Sequence, residues 1–238
     1  MARRVLAEFL GAMILVAAVV GSGIMATTLT DDVGVQLLMN MLATVLVLGI
    51  LIWTLGPISG AHFNPAVTGV ALVRREIALR EAAWYIPAQV AGAITGAILA
   101  NLMFALPAVE LSTNERSGGN LLLGEVVATA GLLWIIGALT RTSNGRLGPV
   151  LVPAWIGAAY FFTSSTSFAN PAVTIGRMFT DTFTGIAPAA VPAFIAAQLV
   201  GAALGAAQTE FFHPRPGRIP EPLDLPSPIH TPSHQEDR

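Results

Sequence analysis

Six stretches of the chain, 9–30, 33–73, 82–109, 126–140, 147–176 and 182–209, contain no charged residue at all. A helix that crosses a bilayer needs roughly 18–20 mostly apolar residues. Five of the stretches exceed that length, and 126–140 reaches it when 121–125 are added. The pattern predicts membrane-spanning helices near 5–27, 35–56, 82–105, 121–139, 148–167 and 189–211. Two stretches are too long for one helix. The surplus 57–73 carries Gly60 and Pro65 and reads as a loop followed by a short helix. After the fifth span, 168–180 contains Pro171 and is too short to cross. Irregular backbone at membrane depth is tolerated only when buried in protein or lining a watery cavity. The prediction is an all-α membrane protein with six transmembrane helices and two re-entrant half-helices around a polar path.

Composition agrees with that pattern. Of 238 residues, 12 are Lys or Arg and 14 are Asp or Glu, so 11% are charged and 54% are hydrophobic. Soluble domains carry about 25% charge, and one with so little would expose large apolar patches. A net charge of −2 supplies no field for nucleic acid. Cysteine is absent, which removes disulfides and thiolate metal sites. Met1-Ala2-Arg3-Arg4 could open a signal peptide, but the following run is as long as a span, and a retained first helix fits better. There is no lysine. With six spans, Arg3, Arg4, Arg74, Arg75, Arg80, Arg141, Arg146, Arg215, Arg218 and Arg238 fall on one side, and Arg116 and Arg177 on the other. The positive-inside rule then puts both termini in the cytoplasm. Seven prolines in 213–238 mark a Pro-rich disordered tail over 212–238, after a channel domain over 1–211.

The two halves repeat each other. Leu6-Ala7-Glu8-Phe9 corresponds to Leu123-Gly124-Glu125-Val126. Asn64-Pro65-Ala66-Val67-Thr68 recurs unchanged as Asn170-Pro171-Ala172-Val173-Thr174. Ala88-Gln89-Val90-Ala91-Gly92-Ala93 returns as Ala197-Gln198-Leu199-Val200-Gly201-Ala202. The repeats run from about 4 to 106 and from about 120 to 211. Each holds three spans, an odd number, so the second is inverted across the membrane. Inverted repeats with paired broken helices place a solute site near the midplane.

Helix-end chemistry explains Asn-Pro-Ala. Proline suits the first helical turn, where its missing N–H is not needed. The preceding asparagine caps the helix and leaves its side-chain NH₂ to point elsewhere. Two such ends meeting at the midplane present amide donors and positive dipole ends. A neutral solute with lone pairs is held briefly there, whereas a cation meets an unfavourable potential.

On these motifs the sequence resembles the aquaporin family, also called the major intrinsic proteins. Ser59-Gly60-Ala61-His62-Phe63-Asn64-Pro65-Ala66-Val67-Thr68 is close to the first signature of that family, and Ala7-Glu8-Phe9 to its opening one. The second Asn-Pro-Ala and both Gln-x-x-Gly motifs match as well. The resemblance spans roughly residues 4–211. It implies a homotetramer in the lipid bilayer with one pore per protomer, and no cofactor.

In most aquaporins an arginine follows the second Asn-Pro-Ala and narrows the outer constriction; here the residue is Val173. Carrying the other filter positions over by their spacing from the two asparagines gives Thr44, Ala158 and Ser167. That set implies a wide, uncharged aperture. It is similar to the aquaglyceroporin-like channels of bacterial arsenic-resistance operons, which also carry valine there and a following run much like Thr174-Ile175-Gly176-Arg177-Met178-Phe179. The resemblance implies a passive channel in a bacterial plasma (inner) membrane for arsenite, as neutral arsenous acid, and related trivalent arsenicals. A glycerol, urea or water facilitator is the alternative.

Other ionisable and polar residues receive structural readings. Glu8 and Glu125 are expected to accept hydrogen bonds from the loop backbones, with Gln89 and Gln198 buttressing the same loops. His62 reads as a hydrogen-bonded loop residue rather than a pH sensor. Arg177, one turn outside Val173, either adds charge to the outer mouth or, as the preferred reading, caps its half-helix or pairs with Asp181. Gly92, Gly96, Gly201 and Gly205 form small-xxx-small patterns of close helix packing. Trp84, Trp134 and Trp155 are read as interfacial anchors. No carboxylate or His–acid relay stands beside either Asn-Pro-Ala, as an active transporter would need. No nucleophilic or metal-spaced set lies within the spans, so an enzyme is not expected.

Overall fold

The computed structural model describes residues 1–215. The expected tail at 212–238 therefore lies, apart from its first four positions, outside the described residues. Among the described residues eight α-helices follow in order: α1 (Ala2–Leu29), α2 (Val33–Ser59), α3 (Pro65–Val73), α4 (Leu79–Met103), α5 (Gly119–Arg141), α6 (Gly148–Phe162), α7 (Pro171–Gly176) and α8 (Val191–Phe212). Among the described residues five helical segments are long and apolar enough to cross a membrane, comprising α1, α2, α4, α5 and α8.

Two boundaries differ from the sequence reading. Pro57, expected in a loop, lies inside the last turn of α2, which ends only at Gly60 with φ 91°. A left-handed terminator favours glycine because it has no Cβ to clash. The fifth span, expected over 148–167, stops at Phe162 and has 15 residues. At 1.5 Å per residue that is about 22 Å, short of the hydrocarbon thickness. Competition from hydroxyls explains the early stop. Thr163 Oγ1 donates to the Ala159 carbonyl, Ser164 Oγ to the Asn120 carbonyl, and Ser165 Oγ accepts from the Ser167 amide.

Inverted pairing organises the bundle. α1 packs most extensively on α4 and α5 on α8, while α2 meets α6 between the halves. The close pairs rest on glycine. A Cβ on Gly92 would stand 2.2 Å from the Phe9 carbonyl oxygen, and one on Gly201 2.5 Å from that of Val126. Gly96 and Gly205 repeat the contact one turn further on. Backbones approach this closely only where no side chain intervenes. Arg4 at the start of α1 pairs with Glu81 at the start of α4, whereas Arg141 at the end of α5 pairs with Glu210 at the end of α8. Arg74, after α3, donates to the Ala206 carbonyl of α8 and gathers these ends on one side.

Polarity is distributed as in a membrane protein. Leu38, Leu42, Leu46, Ile50 and Trp53 form an exposed stripe along α2, while Asn40 and Thr44 on the same helix are buried. Trp84 and Trp134 are exposed, but Trp155 packs against Gly131 and donates to the Ala128 carbonyl, so it is a packing residue.

Candidate functional site

The two half-helices α3 and α7 start at Asn-Pro, and their local geometry is nearly superimposable. Asn64 has φ −151° and ψ 118°, and Asn170 has φ −157° and ψ 112°. Each side-chain carbonyl caps its own helix: Asn64 Oδ1 accepts from the Ala66 amide, and Asn170 Oδ1 from those of Ala172 and Val173. The NH₂ groups are not wholly free. Asn64 Nδ2 donates to the Ala169 carbonyl and Asn170 Nδ2 to the Phe63 carbonyl, both at 2.8 Å. One hydrogen of each amide thus ties the two loops together, and the other remains available to the cavity that both asparagines line.

Backbone strain recurs at matching positions. Ala61 and Phe63 in the first loop have φ of 50° and 47°; Ser167 and Ala169, each 106 residues later, have 53° and 48°. Non-glycine residues in this region cost about 1–3 kcal/mol each and persist only when surrounding contacts hold them. Two buried carboxylates do so. Glu8 accepts from the His62 and Phe63 amides, the Ser59 hydroxyl and Gln89 Nε2; Glu125 accepts from the Phe168 and Ala169 amides and Gln198 Nε2. Gln89 and Gln198 continue to the Thr68 and Thr174 hydroxyls. His62 Nδ1 lies 3.0 Å from Thr68 Oγ1, and its ring meets Tyr85 edge-on.

A cavity of about 280 Å³ passes both asparagines. It extends from Glu76 and Gly145, near the arginine-rich end, to Ser167, Val173 and Arg177 at the other. Thr44 also lines it, and Ser167 Oγ makes no hydrogen bond among the described residues. Ala158 is not brought to this site; it is exposed on the opposite face of α6. Gly148, Val152, Ile156 and Tyr160 form the face that lines the cavity, and the Tyr160 hydroxyl is 3.4 Å from Thr44 Oγ1.

Arg177 does not pair with Asp181, which instead accepts from the Thr113 amide and hydroxyl. Nor does its side chain bond the end of α7. Its Nε donates to the Thr184 carbonyl, and its guanidinium carbon lies 3.5 Å from the centroid of the Phe168 ring. Arg116, from the segment between α4 and α5, stacks on the same ring at 5.1 Å and donates to the Phe183 and Gly185 carbonyls. Burial lowers the pKa of Arg116 from its ordinary value, and nearby Glu125 opposes that shift.

The sequence matches the model of the major intrinsic protein family over residues 1–168. The chain belongs to the major intrinsic protein family. It is 51% identical over 200 residues to the aquaglyceroporin AqpS of Rhizobium meliloti (strain 1021), covering 84% of this chain and 85% of that one. It is 32% identical over 160 residues to aquaporin-5 of Ovis aries, covering 64% of this chain and 57% of the relative. Among solved structures, the aquaglyceroporin from Plasmodium falciparum superposes with a TM-score of 0.64 at 21% identity, over 89% of this chain and 95% of that one. The last comparison shows the shared fold. Members of the family are multi-pass membrane channels, not enzymes.

In this major intrinsic protein, Tyr160 is the cavity residue that counting from Asn170 misses. A signal for it exists in the sequence. The wall residues of α6 recur every four positions from Gly148, and Tyr160 falls in that series whereas Ala158 does not.

Proposed function

We propose that this member of the family is a passive pore for small neutral solutes, with arsenous acid and related trivalent arsenicals as its preferred cargo. The observation that carries the reading is the continuous cavity past Asn64 and Asn170, with the valine side chain of Val173 on its wall directly after the second Asn-Pro-Ala. Thr44, Ser167 and Tyr160 offer hydroxyls to a trihydroxy molecule, and Val173 offers methyl groups. The second hydrogen of each asparagine amide donates to the passing oxygen, while the α3 and α7 N-termini oppose a cation. Glu8, Glu125, Gln89, Gln198 and His62 serve the pore by holding the two loops.

Both termini are taken as cytoplasmic, in the inner membrane of a bacterium, on the arginine count. The working assembly is taken as a homotetramer in which each protomer carries its own path. Glycerol, urea and water form the alternative cargo, favoured by the name aquaglyceroporin borne by the 51% identical relative. Stopped-flow measurement of water, glycerol, urea and arsenite in proteoliposomes tests the choice. Arsenite permeability above that of protein-free vesicles, and above glycerol, is expected. Arsenite flux equal to the protein-free control overturns the cargo and leaves the channel class standing.

A further inference from the structure

The larger cavity ends at Arg177, and a second cavity of about 200 Å³ begins there, lined by Val33, Asn40, Arg116 and Thr166 among others. Arg177 is the residue with charge that borders both. The residue is 3% exposed, and neither it nor Arg116 makes an ion pair among the described residues. The boundary that the two cavities share is therefore a guanidinium that no ion pair neutralises among the described residues.

We infer that Arg177 is the charge-selecting residue of the outer constriction, so that width and charge, set by different residues, are separated along the pore. The inference rests on the channel reading. Val173, in the half-helix α7 that ends just before Arg177, leaves the aperture wide. Arg177 then supplies the positive field from the wall. Two contacts keep it there: the Thr184 carbonyl holds Nε, and the Phe168 ring lies against the guanidinium plane. Arg116 braces the same strand of chain through the Phe183 and Gly185 carbonyls, so successive carbonyls at 183, 184 and 185 are each taken by one of the two arginines. A hydrated cation or a proton on a water chain meets this charge where little solvent screens it. A neutral polyol or trihydroxy acid meets N–H donors instead.

The test uses the full chain in proteoliposomes, with an internal pH-sensitive dye, a potassium gradient and stopped-flow glycerol and arsenite flux. The wild type is expected to pass neutral solute with no proton or potassium leak above empty vesicles. Arg177→Gln should raise that leak about tenfold or more, a change of roughly 1.4 kcal/mol in the barrier. Adding Val173→Arg to that variant should suppress the leak and lower solute flux together. If Arg177→Gln does not reconstitute, Arg177→Met keeps the packing on Phe168 while removing the charge, and carries the same expectation. A reconstituted variant that leaks no more than the wild type overturns the inference. Wild-type vesicles that pass no neutral solute overturn the channel reading itself, and this inference with it.

Discussion

Asn64 donates one amide hydrogen to the carbonyl of Ala169 across 2.8 Å, and Ala169 is the residue immediately before the other asparagine. Asn170 returns the bond to Phe63. The two halves of the pore are locked through the same side chains that face its cavity. Asparagine here has two duties, capping and cross-linking, and a substitution should disturb both.

Asn64→Ala is therefore expected to lose the cap to Ala66 and the bond to Ala169. The cost should be about 2 kcal/mol or more, read as a lower melting temperature in detergent. Solute permeability should fall in the same variant. Full permeability with an unchanged melting temperature would show that the loops are held by other contacts.

Replacing the buried carboxylates should be more severe. Glu8→Gln turns one acceptor oxygen into a donor that faces other donors, since the Glu8 carboxylate accepts four hydrogen bonds. Hydrogen bonds to a charged group contribute about 1.5–3 kcal/mol each, so a loss of about 3 kcal/mol or more is expected. Glu125→Gln, with three donors around it, should behave similarly but less severely. Yield of folded protein after detergent extraction reads the difference. Equal yields for wild type and both variants would remove the carboxylates as the source of loop order.

Close helix contact yields a contrast within one residue type. Gly92→Ala and Gly201→Ala should each destabilise the bundle, because the new Cβ meets a carbonyl oxygen of the neighbouring helix. Gly69→Ala, in α3, meets nothing within 4 Å and should gain up to about 1 kcal/mol of helix propensity. Thermal unfolding of the three variants side by side decides the matter. A Gly92→Ala protein as stable as Gly69→Ala would contradict the packing described for α1 and α4.

The filter can be located by two substitutions on α6. Tyr160→Ala should widen the aperture beside Thr44 and raise glycerol flux several-fold. Ala158→Leu, on the exposed face, should leave flux unchanged. The opposite result, with Ala158 sensitive and Tyr160 silent, would return the filter to the position counted from Asn170. Val173→Arg should reduce the flux of every solute larger than water.

Much of the architecture was legible in the chain because periodicity and repetition are local signals. The charge-free stretches, the matched Asn-Pro-Ala pairs and the paired Glu and Gln motifs follow from residue order alone. The length of the fifth span was not legible. Four hydroxyl residues at 163–166 read as apolar enough to continue a helix, yet in the fold the hydroxyls of Thr163, Ser164 and Ser165 find carbonyl and amide partners where it ends. The partner of Arg177 was likewise hidden. Asp181 is near in sequence, but Thr113 reaches it from another segment, and the Phe168 ring takes the guanidinium.

By itself, then, the sequence determined a six-span, inverted-repeat membrane protein, since hydrophobic length and an odd number of spans per repeat constrain the chain without reference to distant contacts. Only the tertiary structure decided which side chains meet in the pore. That choice depends on helix rotation and on where each loop is pinned, properties set by contacts between residues more than a hundred positions apart. Tyr160 rather than Ala158 on the cavity wall, and Arg177 against Phe168 rather than paired with Asp181, are the two places where that distinction bears on the proposed filter.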